Sequence, residues 1–218
     1  MAIVKHIKSK NANYTDAINY LFYQHDEKTK TLLLNEYGQP MLREEFYADG
    51  LNCTPETFDL DCSGTNRTFN KNRRPGEIKS HHYIISYDPR DASDYGLTGE
   101  KAQELSLEVA QKMFPGHQAL VVTHTDGENH SGNIHTHIVI NSVRANETEK
   151  EDYMTQASDY KAGGKHRSTN KFMEHFKKEV MAMCEREGLH QIDLLSPAPE
   201  KVTEPECRAK SRGQEKME

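Results

Sequence analysis

The sequence predicts an α/β protein of the α+β sandwich kind, with one sheet covered by helices. Three observations predict it. The run Asn133-Ile-His-Thr-His-Ile-Val-Ile-Asn141 is rich in β-branched residues and alternates with a period of two, as a strand does. Leu105, Val109 and Met113 recur at helical spacing, and so do Phe172, Phe176, Val180 and Cys184. Strand-like and long helix-like segments are interleaved rather than segregated.

Taken in order, Ala2 to Ile7 alternates and reads as a strand. Thr15 reads as an N-cap for a helix from Asp16 to about Tyr23. Gln24 to Pro40 is polar and turn-like, and Arg43 to Tyr47 reads as a short helix or strand. Cys53 to Pro75 is rich in Thr, Asn, Asp and Gly and reads as a region containing a long loop. His81 to Tyr87 is a strand ended by Asp88-Pro89. Thr98 caps a helix to about Met113, stopped by Pro115-Gly116. The apolar run from Ala119 leads to His124, and the strand around His135 follows. Ala145 to Asn170 is polar, and a helix from about Thr169 to Glu187 ends at the C-cap glycine Gly188. Residues 196–218 are charged and aperiodic and read as a tail or linker beyond a single domain of residues 1–195.

Composition narrows the function classes. The 218 residues are 34% hydrophobic and carry a formal net charge of −6, so no global basic footprint advertises nucleic acid. Any such contact needs local patches, of which Arg67 to Arg74 and Lys161 to Lys171 are the candidates. No apolar run is long enough to span a membrane and no signal peptide is evident, so a cytoplasmic protein is expected. The four cysteines show neither CxxC nor zinc-finger spacing and read as free thiols.

On a strand, His135 and His137 share one face with Val139 and Asn141, while Ile134, Thr136, Ile138 and Ile140 share the other. A His-x-His pair on a strand is often only two polar side chains facing solvent. Here the opposite face is apolar, and His124 ends the preceding strand. Three neutral imidazoles with open positions suit a catalytic metal ion. Asp126, two residues beyond His124, is placed to orient an imidazole or accept a proton, and Glu128 is a second carboxylate nearby. His130 is an alternative third ligand. A metal of this kind can activate water, or polarise a phosphate that a protein side chain attacks. On the helix from Asp16 to Tyr23, Tyr20 lies almost opposite the apolar stripe of Ile18, Leu21 and Phe22, and Tyr23 also lies off it. Periodicity does not choose between them.

The segment Thr-His124-Thr-Asp126, a loop, then His135-Thr-His137 followed by apolar residues and Asn141, resembles the His-hydrophobic-His signature of conjugative relaxases of the MobA/VirD type. Ala17-Ile-Asn-Tyr20-Leu21 followed by Asp26-Glu-Lys-Thr29 resembles the tyrosine segment of that family. The strand at His82-Tyr-Ile-Ile-Ser86 and Gly50-Leu-Asn-Cys53 also fit. The likeness covers about residues 1–190. The loop before the histidine pair is longer than the family's, and Tyr23-Gln-His-Asp26 replaces a shorter link containing Asn-Pro.

The resemblance implies a central, mainly antiparallel sheet flanked by helices. It implies a divalent metal, Mg or Mn with Zn as an alternative, on His124, His135 and His137. Tyr20, with Tyr23 as the alternative, would attack one phosphodiester of single-stranded DNA beside an origin-of-transfer hairpin, leaving a 5′-phosphotyrosine. Arg73, Arg74, Lys161, Lys165 and Arg167 would contact the DNA, and an accessory mobilisation protein and a coupling protein would be partners. The rival readings are a rolling-circle replication initiator using a downstream tyrosine, Tyr153 or Tyr160, and a DNA-binding module without catalysis.

Overall fold

The computed structural model describes residues 3–26, 29–126 and 133–196. Its strands are β1 (Ile3–Ser9), β2 (Phe46–Leu51), β3 (Ser80–Ser86), β4 (Ala119–His124) and β5 (His135–Asn141). Its α-helices are α1 (Thr15–Phe22), α2 (Phe58–Thr68), α3 (Pro89–Tyr95), α4 (Gly99–Met113) and α5 (Asn170–Arg186). The strands form one sheet in the order β1-β3-β5-β4-β2, and every neighbouring pair is antiparallel. The histidine-bearing segment is a strand, as the alternation predicts, and β5 is the middle one, as the resemblance implies.

Each face of the sheet is covered. α4 and α5 bury Leu105, Val109, Phe172, Phe176 and Val180 against Tyr83, Ile85, Val121, Ile138 and Ile140. On the other face Leu21 of α1 and Phe58 and Cys62 of α2 pack on Leu120, Val122 and Val139. The histidines share that second face, so α1 and α2 wall the site. Behind it, a buried polar chain ties α4 to the sheet: Gln103 donates to Asp49 and to the Val121 carbonyl, and Thr123 donates to Gln103. Thr123 also bonds Thr136 on β5 at 2.7 Å. This chain locks the register that sets His124 directly across from His135.

Several helix ends follow the sequence. Thr98 and Thr169 accept from the backbone N–H groups of Lys101 and Phe172. Gly188 adopts φ +69°, the left-handed conformation that a terminal glycine supplies at least strain. Gly50 of β2 is required for space, because a Cβ there would sit 2.1 Å from the Cys53 carbonyl oxygen.

Other readings need correction. Thr15 is the first residue of α1 rather than its cap, and its hydroxyl donates to Asp59 of α2. The stretch from Cys53 to Pro75 does contain a loop, from Phe69 onward, but also holds α2, anchored by fully buried Phe58 and Cys62. Arg43 to Tyr47 leads into a strand, β2. Asp88-Pro89 ends β3 but also starts α3, with Asp88 as its N-cap and Pro89 at its first position. Between α1 and β2, the bridges Tyr23–Leu42, His25–Leu32 and Leu34–Pro40 make a hairpin-like arm. Cys53, Cys62 and Cys184 are free thiols. The tail from residue 197 lies outside the described residues.

Candidate active site: a histidine cluster beside the first helix

His124, His135 and His137 come together at one end of the sheet. One ligand atom from each lies within 4.8 Å of the others. His124 and His137 are buried, at 1% and 4% exposure, and His135 is half-buried. Each ring has its other nitrogen engaged. His124 Nε2 donates to the Leu21 carbonyl at 2.7 Å, and His135 Nδ1 donates to the Asn133 carbonyl at 3.0 Å. His137 Nδ1 and His82 Nε2 share a hydrogen bond of 2.7 Å. This leaves Nδ1 of His124 and Nε2 of His135 and His137 for an ion, with the opposite nitrogens fixing the rings as outer partners of metal-bound histidines do.

Electrostatics favour the neutral imidazoles that ligation needs. Burial, then Arg43, lowers the His124 pKa to about 4. Burial, then His82, holds His137 well below the ordinary imidazole range. The donor set therefore fits a divalent ion of imidazole preference with coordination positions left over.

Tyr20 is the tyrosine that reaches this cluster. It projects from α1 at 45% exposure, and its ring stands edge-on to His137 at a centroid distance of 6.0 Å. The reason is local: Leu21, one residue on, is fully buried and points the other way, and its carbonyl holds His124. Tyr23 caps the C-terminus of α1 and turns into the arm. Among the described residues its ring stacks on none of the three histidines.

Asp126 is placed differently from the sequence reading. Its carboxylate pairs with Arg43 at 2.7 Å, and its described hydrogen bond goes there rather than to an imidazole. Glu128 and His130 lie outside the described residues. The five cations expected on DNA are not at the histidines. They cluster at the opposite end of the sheet, near Ser80 and Asn141, about 20 Å away along β5 at a strand's rise per residue. Three are already paired: Lys161 with Glu147, Lys165 with Glu77, and Arg167 with Asp159. Arg73 donates to Asn70, and Arg74 is exposed.

Two further residues border the site. The sequence leaves His82 either facing the site or serving only as a strand residue, and the structure puts it against His137. It sits on the histidine face of β3, diagonal to His137, a placement that needs the β3–β5 register as well as the alternation. Arg43 lay in a segment of uncertain structure with no local signal. Downstream, Tyr153 packs on Phe172 and His175 of α5, in the layer on the far side of the sheet from the histidines.

A sheet with its histidine triad on the central strands and a tyrosine helix laid over them defines the class to which this geometry belongs, and the comparisons agree. The nuclease-domain model of MobA/VirD2-like relaxases matches residues 33–189, and the chain belongs to that family. A protein of Staphylococcus aureus described as protein rlx is 32% identical over 140 residues, which cover 64% of this chain and 36% of that protein. A second rlx protein of the same organism is 28% identical over 140 residues, 64% of this chain and 35% of its own length. The chain thus spans about a third of these relatives. A solved structure described as the molecular basis of vancomycin resistance transfer in Staphylococcus aureus superposes with a TM-score of 0.51 at 15% identity, over 88% of this chain and 96% of the other, a likeness of fold. Among the described residues, no helix is long and apolar enough to cross a membrane.

Proposed function

We propose that this chain is the strand-nicking domain of a mobilisation protein, a site-specific single-strand DNA endonuclease and transferase acting at an origin of transfer. The observation that carries the reading is the meeting of Tyr20 with three convergent imidazoles, brought from α1, β4 and β5. Residues 1–195 form the catalytic unit.

His124, His135 and His137 would hold a divalent ion, Mg or Mn with Zn as an alternative. Bound there, it would supply Lewis-acid stabilisation of charge on the scissile phosphate. α1 would present the Tyr20 hydroxyl to the phosphorus, so that the bond from the phenol oxygen forms as the bond to the 3′ oxygen breaks. The phenol loses its proton and the departing 3′ oxygen gains one, leaving a 5′-phosphotyrosine and a 3′-hydroxyl. One phosphodiester is exchanged for another, so the strand can be rejoined by the reverse step. Arg43, beside the histidines, adds positive charge facing the phosphate. Asp126 acts through Arg43, which it holds in place. Arg73, Arg74, Lys161, Lys165 and Arg167 track flanking DNA at the far end of the sheet, and the affinity they add weakens as salt rises. An accessory mobilisation protein and a coupling protein act on the complex in the cytoplasm.

The test is covalent capture. A labelled single strand carrying the element's own origin is incubated with Mg²⁺ or Mn²⁺ and resolved on a denaturing gel. A protease-sensitive adduct forms with the wild type and with Tyr23→Phe and is lost with Tyr20→Phe. An adduct that survives both substitutions transfers the chemistry to another tyrosine and ends this reading. No adduct under any metal leaves a DNA-binding module.

A further inference from the structure

Arg144 lies just beyond β5, at the end of the sheet away from the histidines. It is 3% exposed, and its Nε and Nη1 atoms are buried with no hydrogen-bond partner. A buried guanidinium without an acceptor is costly, and a fold keeps one where something else supplies the negative charge. The backbone holds it firmly: its N–H donates to the Gly164 carbonyl, and its carbonyl accepts from Gly163. Gly116 is shaped around it, since a Cβ there would meet Arg144 Nη1 at 2.8 Å.

The guanidinium lines a small cleft, partly open to solvent, together with Tyr153, Asp159, His166, Arg167 and Thr169. A second orphan points to the same need, because the Tyr153 hydroxyl is also buried without a partner. Burial raises the Tyr153 pKa to about 12, so it stays a neutral phenol able to donate. Asp159 is already satisfied by Arg167 and by the backbone N–H groups of Thr155 and Gln156. Asp159 also attracts the Arg144 guanidinium, but Nε and Nη1 still have no acceptor, and Arg144 and Arg167 against Asp159 leave the cleft with an excess of positive charge. Thr169, the N-cap of the 17-residue α5, puts the positive end of that helix on the same cleft.

We propose that Arg144, Tyr153 and the N-terminus of α5 form a binding site for a single phosphate group. Its source is either free phosphate or a backbone phosphate of the DNA strand, the second resting on the nicking function proposed above. The cleft shares its rim with Arg167 and adjoins Lys165, so a strand held there would be anchored away from the point of cleavage.

Thermal unfolding in potassium phosphate, against potassium chloride at matched ionic strength, tests the site. Phosphate raises the wild-type midpoint saturably by about 2–5 °C, and Arg144→Gln abolishes the rise. Comparing the two proteins cancels any phosphate held at the histidines. No saturable rise, or an equal rise in Arg144→Gln, overturns the proposal and leaves an ordered water as the occupant. Should Arg144→Gln fail to fold, Tyr153→Phe keeps the ring packing and weakens phosphate by roughly 5–10-fold, and unchanged affinity overturns the site. Tyr20→Phe leaves the phosphate shift intact, which separates this site from the nicking chemistry. Competition assigns the source. If phosphate displaces a labelled single strand from the wild type but not from Arg144→Gln, the natural occupant is a DNA phosphate. Strand binding that is indifferent to phosphate assigns the site to the free ion.

Discussion

His82 offers the sharpest test of how the histidine cluster is organised. Its Nε2 lies 2.7 Å from His137 Nδ1, and the two rings have centroids 4.9 Å apart. His82→Phe keeps a planar ring and removes the hydrogen bond. His137 then loses the contact that fixes its rotation, and its buried Nδ1 is left unsatisfied. Losing one outer partner of a metal-bound histidine costs about 10–100-fold in metal affinity, or about 1.4–2.7 kcal/mol. The penalty for an unsatisfied buried polar group, roughly 1–3 kcal/mol, gives the same range independently. His82→Gln offers an amide to the same nitrogen and recovers part of the loss. The assay is competition for Mn²⁺ against a metallochromic chelator, with circular dichroism confirming that both variants are folded. Equal Mn²⁺ affinity for His82→Phe and the wild type would refute the reasoning, since His137 would then be held by packing alone.

Other outcomes follow from the same structure. Arg43→Gln slows single-turnover cleavage by roughly 100-fold while leaving Mn²⁺ affinity no weaker, because it removes a cation that disfavours charge on His124 and His137. Stability falls as pH drops from about 6.5 toward 4. Burial lowers His81 to about 3 and His124 to about 4 in the fold, so the unfolded chain takes up their protons first. Each such histidine contributes up to about 1.4 kcal/mol per pH unit across that window, and denaturant midpoints that stay flat between pH 7 and pH 5 would contradict it. Phe58→Ala empties a fully buried position beneath α2 and costs roughly 3–5 kcal/mol, read by urea unfolding.

The histidines were legible because a period of two places them on one face without reference to any other element, and because His124 closes the adjoining strand. α4 and α5 were legible for the analogous reason at a period of 3.6. α2 was not: between Phe58 and Thr68 only Phe58 and Cys62 are buried, too few to make a stripe, and Thr, Asn, Asp and Gly are poor helix formers. It is helical because the sheet face above Leu120 and Val139 needs a cover. Asp88-Pro89 misled in another way, since the pair that ends a strand is also a good start for a helix. The pairing of Asp126 with Arg43 spans residues distant in sequence, and no local pattern announces such a contact.

The strand pairings also order the assembly of the protein in time. β4 and β5 are the one adjacent pair in the sheet that is also consecutive in the chain, and His124 opposes His135 at its closed end. β1 must find β3, and β2 must find β4, across much longer stretches, and long loops close at greater entropic cost. All three clustered imidazoles thus belong to the most local hairpin among the described residues. Tyr20 takes its place beside them only when the flanking elements have arrived, so a half-folded chain could gather the imidazoles but would lack the tyrosine that the proposed cut requires.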